Sequence, residues 1–284
     1  MFNNKKCLIF VVLPYYNEIT NQGDNIMKGL KATILDLGYN YSDGNFFEAG
    51  KYEPGTHLTN TPFYGILLDH PTEGLILFDT GDPDKNDWPE FLRPLCDVVD
   101  EPGKNIPDQL ALLGLKPEDV KHVILSHLHI DHIGGLRHLK NAKVYCTRKE
   151  FESAKEITKN GDVAFYIKSL VDSLPEDVVL LGEEDVELFE GVHIINAPGH
   201  TLGLIAMRVE LESGDILETS DATNMASNFY EGVPGGIVLD PEAAKASVEK
   251  LHRIQKENNI PNERVLFSHD DVQYARTDKA PKWF

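Results

Sequence analysis

The sequence predicts an α+β protein built of two similar sheet-plus-helix halves. Predicted strands are followed by predicted helices twice along the 284 residues, and no flexible Gly/Ser linker or change of composition separates the halves. Hydrophobic residues make up 41% of the chain, which is enough for a sizeable core. We therefore expect a single domain that spans residues 1–284.

In the first half, short apolar runs bounded by turn residues predict strands, and apolar spacing predicts helices. Residues 39–61 are too irregular to assign and are a candidate cover for a pocket. The predicted strands are 7–13, 32–37, 63–69, 75–78, 122–125 and 142–146, and the predicted helices are 105–113, 133–139, 149–159 and 162–173.

The second half is richer in predicted strands. Its clearest helix is 241–257, because Asp240 can cap its N-terminus and Pro241 suits the first helical position. The predicted strands are 178–181, 186–189, 192–196, 204–211, 215–219 and 264–267.

The charge and the cysteines limit the environment and the partners. A net charge of −19 repels phosphate backbones and anionic membrane surfaces, so we expect neither a nucleic-acid nor a membrane partner. Three widely spaced cysteines without a CxxC pair fit a reducing compartment. The apolar run 7–13 is closed by Pro14 and lacks a small-residue cleavage site, which favours a first strand over a signal peptide. We expect a cytoplasmic protein.

A dense cluster of histidines follows the strand 122–125. The stretch 123–135 reads VILSHLHIDHIGG. Imidazole and carboxylate groups at this density suit divalent zinc, iron or manganese. A polar loop that is merely rich in histidine is disfavoured by the tight spacing and by the strand, turn and helix pattern around it. The candidate ligands are His127, His129, Asp131 and His132.

Three further polar residues each follow a predicted strand. They are His200 in APGHTLG, Asp221 in SDA and His269 in FSHD. Because strand ends can meet at one edge of a sheet, these side chains can converge with the cluster and complete two metal sites. We expect His127, His129 and His200 to hold one metal, Asp131, His132 and His269 to hold the second, and Asp221 to bridge both.

The motif HLHIDH, followed by these three residues, resembles the metallo-β-lactamase superfamily in its dinuclear hydrolase form. The phrases YGILLDHP, LFDTG, APGHT and SHD resemble its N-acyl-homoserine lactonase-like branch. The resemblance extends over residues 62–269 and implies an αββα sandwich with the metals at the sheet edges. It also implies two divalent metal ions, with zinc the first expectation and iron, manganese or cobalt the alternatives.

The resemblance implies a quorum-quenching hydrolase that opens an N-acyl-homoserine lactone or another small lactone. Two cations that share a water lower its pKa toward ~7 and supply hydroxide. We expect Asp131 or Asp221 to take part in the proton transfer that follows. Asp79, at the end of strand 75–78, is a candidate hydrogen-bond partner of a ligand histidine, with a turn-starting role as the alternative.

One position departs from this branch. Its lactonases usually carry a tyrosine three residues after the bridging aspartate, where this chain has Asn224. The amide of Asn224 can donate a hydrogen bond to substrate but cannot act as a phenolic acid. The departure widens the expected substrates to a different lactone or a small ester. The candidate replacements for the missing hydroxyl are Tyr230, Tyr15, Tyr16, Tyr39 and Tyr41.

Other functions stay open at this point. A glyoxalase-II-like thioesterase would use the same seven ligands. A non-hydrolytic diiron protein is disfavoured, because such proteins on this fold typically carry Glu at the position of His129. A binding module without catalysis is disfavoured because no ligand position is missing, and a homodimer is left open. His57 is a candidate substrate contact. The remaining histidines, His70, His122, His138, His193 and His252, are expected to be structural or exposed.

Overall fold

The computed structural model describes residues 28–55 and 58–284, which form two β-sheets with helices on their outer faces. The predicted strand 7–13, the candidate substrate contact His57 and the candidate tyrosines Tyr15 and Tyr16 lie outside these residues.

The first sheet has the strand order β4-β1-β2-β3-β5-β6-β7. β1, β2 and β3 pair antiparallel, whereas β3, β5, β6 and β7 pair parallel. The strands are β1 (Lys31–Asp43), β2 (Leu58–His70), β3 (Gly74–Phe78), β4 (Cys96–Val98), β5 (Val120–Ile124), β6 (Lys143–Thr147) and β7 (Val179–Leu181).

The second sheet has the order β12-β11-β10-β9-β8. All neighbours pair antiparallel except β11 and β12, which run parallel. Its strands are β8 (Val186–Phe189), β9 (Val192–Asn196), β10 (Ile205–Val209), β11 (Ile216–Glu218) and β12 (Val265–Leu266).

The helices include the one predicted most clearly from sequence. α6 begins after Asp240, whose carboxylate accepts a hydrogen bond from the main-chain N–H of Ala243 at 3.0 Å. In residues 28–55 and 58–284, no helix is both long and apolar enough to cross a bilayer. The helices are α1 (Ile106–Leu112), α2 (Ile130–Ile133), α3 (Arg148–Ile157), α4 (Lys168–Asp172), α5 (Ala226–Tyr230), α6 (Pro241–Glu257) and α7 (Asp271–Arg276).

Three apolar clusters fill the spaces between four layers. One lies between the first sheet and the helices α1, α3 and α4, which contribute Leu110, Ala154 and Val171. A second joins the inner faces of the two sheets, for example Ile66 of β2 and Met207 of β10. A third lies between the second sheet and the helices α5 and α6. The layers follow the order helix, sheet, sheet, helix, so the predicted αββα sandwich is confirmed.

The helix predicted over 162–173 is mostly wrong. Only Lys168–Asp172 is helical, and Val163 instead forms a bridge with Tyr166. The carbonyl of Phe165 accepts a hydrogen bond from the N–H of Ile130 at 2.9 Å, beside the histidine cluster. Because this carbonyl is hydrogen-bonded to Ile130, it is not used in a helical hydrogen bond within the segment.

The helix predicted over 133–139 begins earlier and is broken. α2 ends at Ile133, and residues 134–138 form a 3₁₀ turn. Glycine is required here, because a Cβ on Gly134 would lie 2.0 Å from the nitrogen of Pro83, and one on Gly135 would lie 2.2 Å from the carbonyl oxygen of Thr80. The two glycines therefore let this turn pack against the loop that follows β3.

Candidate metal centre

All seven predicted ligands meet at one end of the sandwich. His127 and His129 follow β5, Asp131 and His132 lie in α2, and His200 follows β9. Asp221 lies in the turn after β11 and His269 follows β12. The ligand atoms fall into groups in which every atom lies within 4.8 Å of the others. The first group is His127, His129 and His200, the second group is Asp131, His132 and His269, and His127, His132 and Asp221 form a third group that overlaps both.

The first group consists of three imidazoles whose nitrogens face one another. His129 Nδ1 lies 3.0 Å from His127 Nε2 and 3.0 Å from His200 Nε2. His127 also donates from Nδ1 to the hydroxyl oxygen of Ser126 at 3.0 Å, which leaves its Nε2 as a lone-pair donor. Three converging nitrogens of this kind are typical of a metal site.

The second group combines a carboxylate with two imidazoles. Asp131 Oδ2 lies 3.5 Å from His269 Nε2 and 3.7 Å from His132 Nε2. The ring of His269 is oriented by a 3.1 Å hydrogen bond from Nδ1 to the carbonyl of Pro62 on β2. That bond places the proton on Nδ1 and leaves Nε2 free as a ligand.

Asp221 connects the two groups. Its Oδ2 lies 3.2 Å from His200 Nε2 in the first group. Its Oδ1 lies 3.3 Å from His132 Nε2 and 3.4 Å from His269 Nε2 in the second. The two oxygens of one carboxylate thus face two different ligand sets.

The residues fit divalent cations. His132 Nε2 and Asp221 Oδ1 are buried, and neither has a hydrogen-bond partner among the described residues. An unpartnered buried polar atom is costly, and a cation between these atoms would satisfy both. A set of neutral imidazoles and carboxylates suits a divalent transition metal.

The electrostatics of the site favour positive charge between the ligands. Burial, reinforced by the neighbouring histidines, holds the pKa of His127 and of His129 well below the usual value, so both rings are neutral. Burial alone would raise the pKa of Asp221, but the facing His269, His132 and His200 outweigh it and hold that pKa well below its usual range.

The two histidines of the second group behave in the opposite way. Burial alone would lower the pKa of His132 and of His269. The carboxylates of Asp221 and Asp131 outweigh burial and raise the pKa of both rings. Without a metal, this group therefore attracts protons, and a metal ion has to displace them.

Asp79 contacts one of the candidate ligand histidines, which favours the first of the two roles considered for it. His132 Nδ1 donates to Asp79 Oδ2 at 2.8 Å, the Ser126 hydroxyl donates to the same oxygen at 2.6 Å, and the Ser126 N–H donates to Oδ1 at 2.7 Å. Asp79 has a φ of 59°, in the left-handed region. Sequence reasoning missed Ser126, although it directly precedes the HLHIDH motif.

A second buried carboxylate, Glu150 of α3, was also missed. It accepts hydrogen bonds from the N–H of Leu128 and of Gly203, both at 3.1 Å, and from the hydroxyl of Tyr166 at 2.8 Å. Glu150 therefore ties the HLHIDH loop to the loop that carries His200. A glutamate in a helix carries no sequence signal for this role.

The ligands open into a small cavity that includes Asn224. Its volume is about 30 Å³, and it is bounded on the apolar side by Phe46, Phe47 and Phe165. Asn224 is buried, and its Nδ2 lies 3.4 Å from the hydroxyl of Ser268. The candidate replacements Tyr39, Tyr41 and Tyr230 are not among the residues that line this cavity.

A larger cavity of about 390 Å³ adjoins the first. Its walls come from the loop 232–238 and from α6. The loop is anchored, because the N–H of Gly236 donates to the carbonyl of Phe46 at 3.0 Å. The cavity shares His200, Asp221, Asn224 and Ile237 with the metal cavity, and its apolar lining includes Val233, Pro234, Val238 and Val248.

The remaining predicted structural histidines lie away from the ligand groups. His70 is buried and its Nε2 lies 3.0 Å from the carbonyl oxygen of Glu190. His193 lies 2.8 Å from Glu210, and His252 lies 2.8 Å from the carbonyl oxygen of Phe229. These contacts account for the rings without a ligand role.

Comparison with known proteins places these features in context. A family model described as the Metallo-beta-lactamase superfamily matches residues 64–269. The chain is 29% identical over 279 residues to the N-acyl homoserine lactonase AiiB of Agrobacterium fabrum, an alignment that covers 90% of this chain and 99% of that protein. It is 34% identical over 230 residues to an N-acyl homoserine lactonase of Bacillus cereus, covering 78% and 85%.

The structure is similar to that of a Bacillus thuringiensis AiiA variant solved with N-decanoyl-L-homoserine bound at its active site. The TM-score is 0.77 at 28% identity, and the match covers 89% of this chain and 98% of that one.

Proposed function

Because the chain belongs to the metallo-β-lactamase superfamily, we propose that it is a dinuclear metal-dependent hydrolase that opens an N-acyl-homoserine lactone or a related small lactone. The observation that carries the proposal is the carboxylate of Asp221, whose two oxygens face the two ligand groups at 3.2 to 3.4 Å. The similarity to N-acyl homoserine lactonases supports the lactone as substrate.

We assign the seven side chains to two metal ions. His127, His129 and His200 hold one, Asp131, His132 and His269 hold the other, and Asp221 bridges them. We propose zinc as the native ion, because imidazole and carboxylate ligands suit it, with iron, manganese and cobalt as the competing metals. When bound, such cations supply an activated water and polarise the substrate carbonyl.

The chain's own residues then divide the remaining tasks. Asp131 is only partly buried and lines the metal cavity, so its carboxylate is placed to accept the proton that the attacking water loses and to pass it to the departing ring oxygen. Asn224 lies in the walls of both cavities, where its amide can donate a hydrogen bond to a substrate oxygen. Asp79 and Glu150 hold the ligand loops in place and do not contact substrate.

The neighbouring apolar cavity suits the acyl chain of the substrate. It shares the wall residues Asn224 and Ile237 with the metal cavity. An acyl chain in contact with Val233, Val238 and Val248 would be removed from water, which contributes about 0.8 kcal/mol per buried methylene. We therefore propose that the lactone ring lies at the metals while the acyl chain extends toward α6.

A substrate panel on metal-defined protein tests this function. Protein stripped with a chelator and reloaded with zinc, cobalt or manganese should open acyl-homoserine lactones, simple γ-lactones or aryl lactones, and stripped protein should not. His200→Ala should abolish the activity, whereas His193→Ala, which removes a partly exposed imidazole from β9, should retain it. A metal-loaded protein that opens none of these lactones, or that prefers S-acyl glutathione, would contradict the proposal.

A substitution of Asn224 tests whether this residue limits the activity on acyl-homoserine lactones. Asn224→Tyr restores the hydroxyl that is usual at this position in the branch. If the amide limits the present enzyme, the variant should turn over acyl-homoserine lactones faster than wild type. Unchanged or lower kcat/KM on every acyl-homoserine lactone would show that Asn224 does not limit this activity.

A further inference from the structure

A buried glutamate lies behind the second ligand group. Glu218 ends β11, three residues before Asp221, and is 2% exposed. It lines a small internal cavity together with Asp131, His132 and His269. Its carboxyl group contacts Tyr64 of β2, with 2.8 Å between Tyr64 Oη and Glu218 Oε2.

The hydrogen bonds around this contact require one more proton than an ionised glutamate offers. The hydroxyl of Tyr64 carries a single hydrogen but faces two acceptors, Glu218 Oε2 at 2.8 Å and the carbonyl oxygen of Phe267 at 3.0 Å. If Glu218 were ionised, one acceptor would face the phenolic oxygen without a hydrogen between them. If Glu218 is protonated, it donates to Tyr64, and Tyr64 donates to Phe267.

The other carboxyl oxygen has a donor of its own. Glu218 Oε1 accepts from the N–H of Ser220 at 3.0 Å. A neutral carboxylic acid therefore satisfies every partner in the chain from Ser220 through Glu218 and Tyr64 to Phe267. Burial also raises the pKa of Glu218 to about 8, which favours the protonated form at neutral pH.

The two ends of this chain lie next to metal ligands. Ser220 has a φ of 46°, a strained conformation for serine, and it directly precedes Asp221. Phe267 lies two residues before His269. β2, which carries Tyr64, also supplies the carbonyl of Pro62 that orients the His269 ring. The hydrogen-bond chain therefore joins the turn that carries Asp221 to the segment that carries His269.

We propose that Glu218 is a positioning residue that acts as a neutral hydrogen-bond donor and fixes Asp221 relative to His269, so that the second metal ion is held tightly. The inference rests on the metal centre assigned under the proposed function, and it concerns the affinity for metal rather than the identity of the substrate.

Zinc affinity tests the proposal on the full chain at neutral pH. The protein is loaded with zinc, and a chromophoric chelator competes for the ions in the absence of substrate. Glu218→Leu removes both hydrogen bonds. It should lower the affinity for one of the two zinc ions by about 10- to 100-fold, the usual effect of losing a group that orients ligands. Glu218→Gln should stay close to wild type, because its amide donates to Tyr64 and its carbonyl accepts from Ser220.

Tyrosine variants separate this chain from general packing. Tyr64→Phe should lower the affinity for the same zinc ion, because it removes the hydrogen bond to the carbonyl of Phe267. Tyr145→Phe is the matched control. It removes the hydroxyl of a buried tyrosine, whose Oη lies 3.1 Å from Nδ1 of the partly exposed His122. It should leave both zinc affinities at the wild-type value. If Glu218→Leu does not fold, the Gln and Phe variants still decide the question.

Infrared difference spectroscopy reads the proton directly. Wild type at neutral pH should show the C=O stretch of a protonated carboxylic acid that is missing in Glu218→Gln. The proposal is overturned if no such band is lost, or if Glu218→Gln releases zinc as readily as Glu218→Leu. Both measurements are made without substrate, so a protein that gives the expected order of affinities but opens no lactone would overturn the proposed function alone.

Discussion

Replacing Asp79 by asparagine removes the anchor of one ligand histidine while preserving the shape of the side chain. Asn tolerates the left-handed backbone of residue 79 about as well as Asp does, so the exchange adds no backbone strain. The effect therefore reports on the hydrogen bonds and on the lost negative charge beside His132, not on the backbone. Wild-type Asp79 accepts three of them, from His132, from the Ser126 hydroxyl and from the Ser126 N–H.

An asparagine at position 79 cannot accept all three bonds. If its oxygen faces the N–H of Ser126, its NH₂ group faces both His132 Nδ1 and the Ser126 hydroxyl. His132 then loses the bond that fixes its orientation. Loss of such a partner weakens metal binding by about 10- to 100-fold, which corresponds to about 1.4 to 2.8 kcal/mol.

Competition with a chromophoric chelator measures this loss for each of the two metal ions. We expect Asp79→Asn to lower the affinity for the metal ion held by His132 and to change the affinity for the other ion less. Asp69→Asn is a suitable control, because Asp69 lies on β2 seven residues beyond Pro62, away from the site. Wild-type affinity for both metal ions in Asp79→Asn would refute the role of this hydrogen bond.

Three further predictions address the pocket, the packing and the pH dependence. Val248→Trp should narrow the apolar cavity and raise KM more for long-chain than for short-chain lactones, whereas equal changes for all chain lengths would exclude an acyl chain from this cavity. Gly134→Ala should lower the free energy of unfolding, measured in urea, by at least about 1–3 kcal/mol, because its Cβ would lie 2.0 Å from the nitrogen of Pro83. Gly182→Ala is the control, because the nearest atom to its Cβ would be 4.0 Å away. Metal affinity should fall as the pH drops through the raised pKa of His269, since protons then compete with the metal for its nitrogen. The usual histidine pKa is about 6.5, so a metal affinity that does not change between pH 8 and about 6 would contradict this.

The sequence was sufficient to predict which seven side chains lie together at the candidate metal centre. Four candidates lie in one short motif, and each of the others follows a strand, so a single rule about strand ends brought them together. The structure places all seven in overlapping groups. The αββα layers were expected from the resemblance to the metallo-β-lactamase superfamily, and the predicted order of strands and helices was compatible with them.

The groups that support the ligands were not predictable in the same way. Glu150 and Glu218 acquire their roles from partners far along the chain, such as Gly203 and Tyr64. Local patterns carry no information about such contacts. The helix predicted over 162–173 failed for the same reason, since a bond to Ile130 overrides the local apolar spacing.

Short elements were missed as well. β4 has three residues, and α5 and α7 have five and six. Elements of this length are stabilised by tertiary contacts more than by their own sequence. α7, for example, is capped by Asp270, whose carboxylate also accepts a hydrogen bond from the N–H of Ala226 in α5.

Titration of metal-free protein with zinc tests the central claim most directly. Lactone opening is measured after each addition, and the bound zinc is counted in the same samples. If Asp221 bridges two ions that act together, activity should rise mainly as the second equivalent binds and should be lost in Asp221→Ala. Full activity with one equivalent of zinc, or with none, would contradict a dinuclear centre.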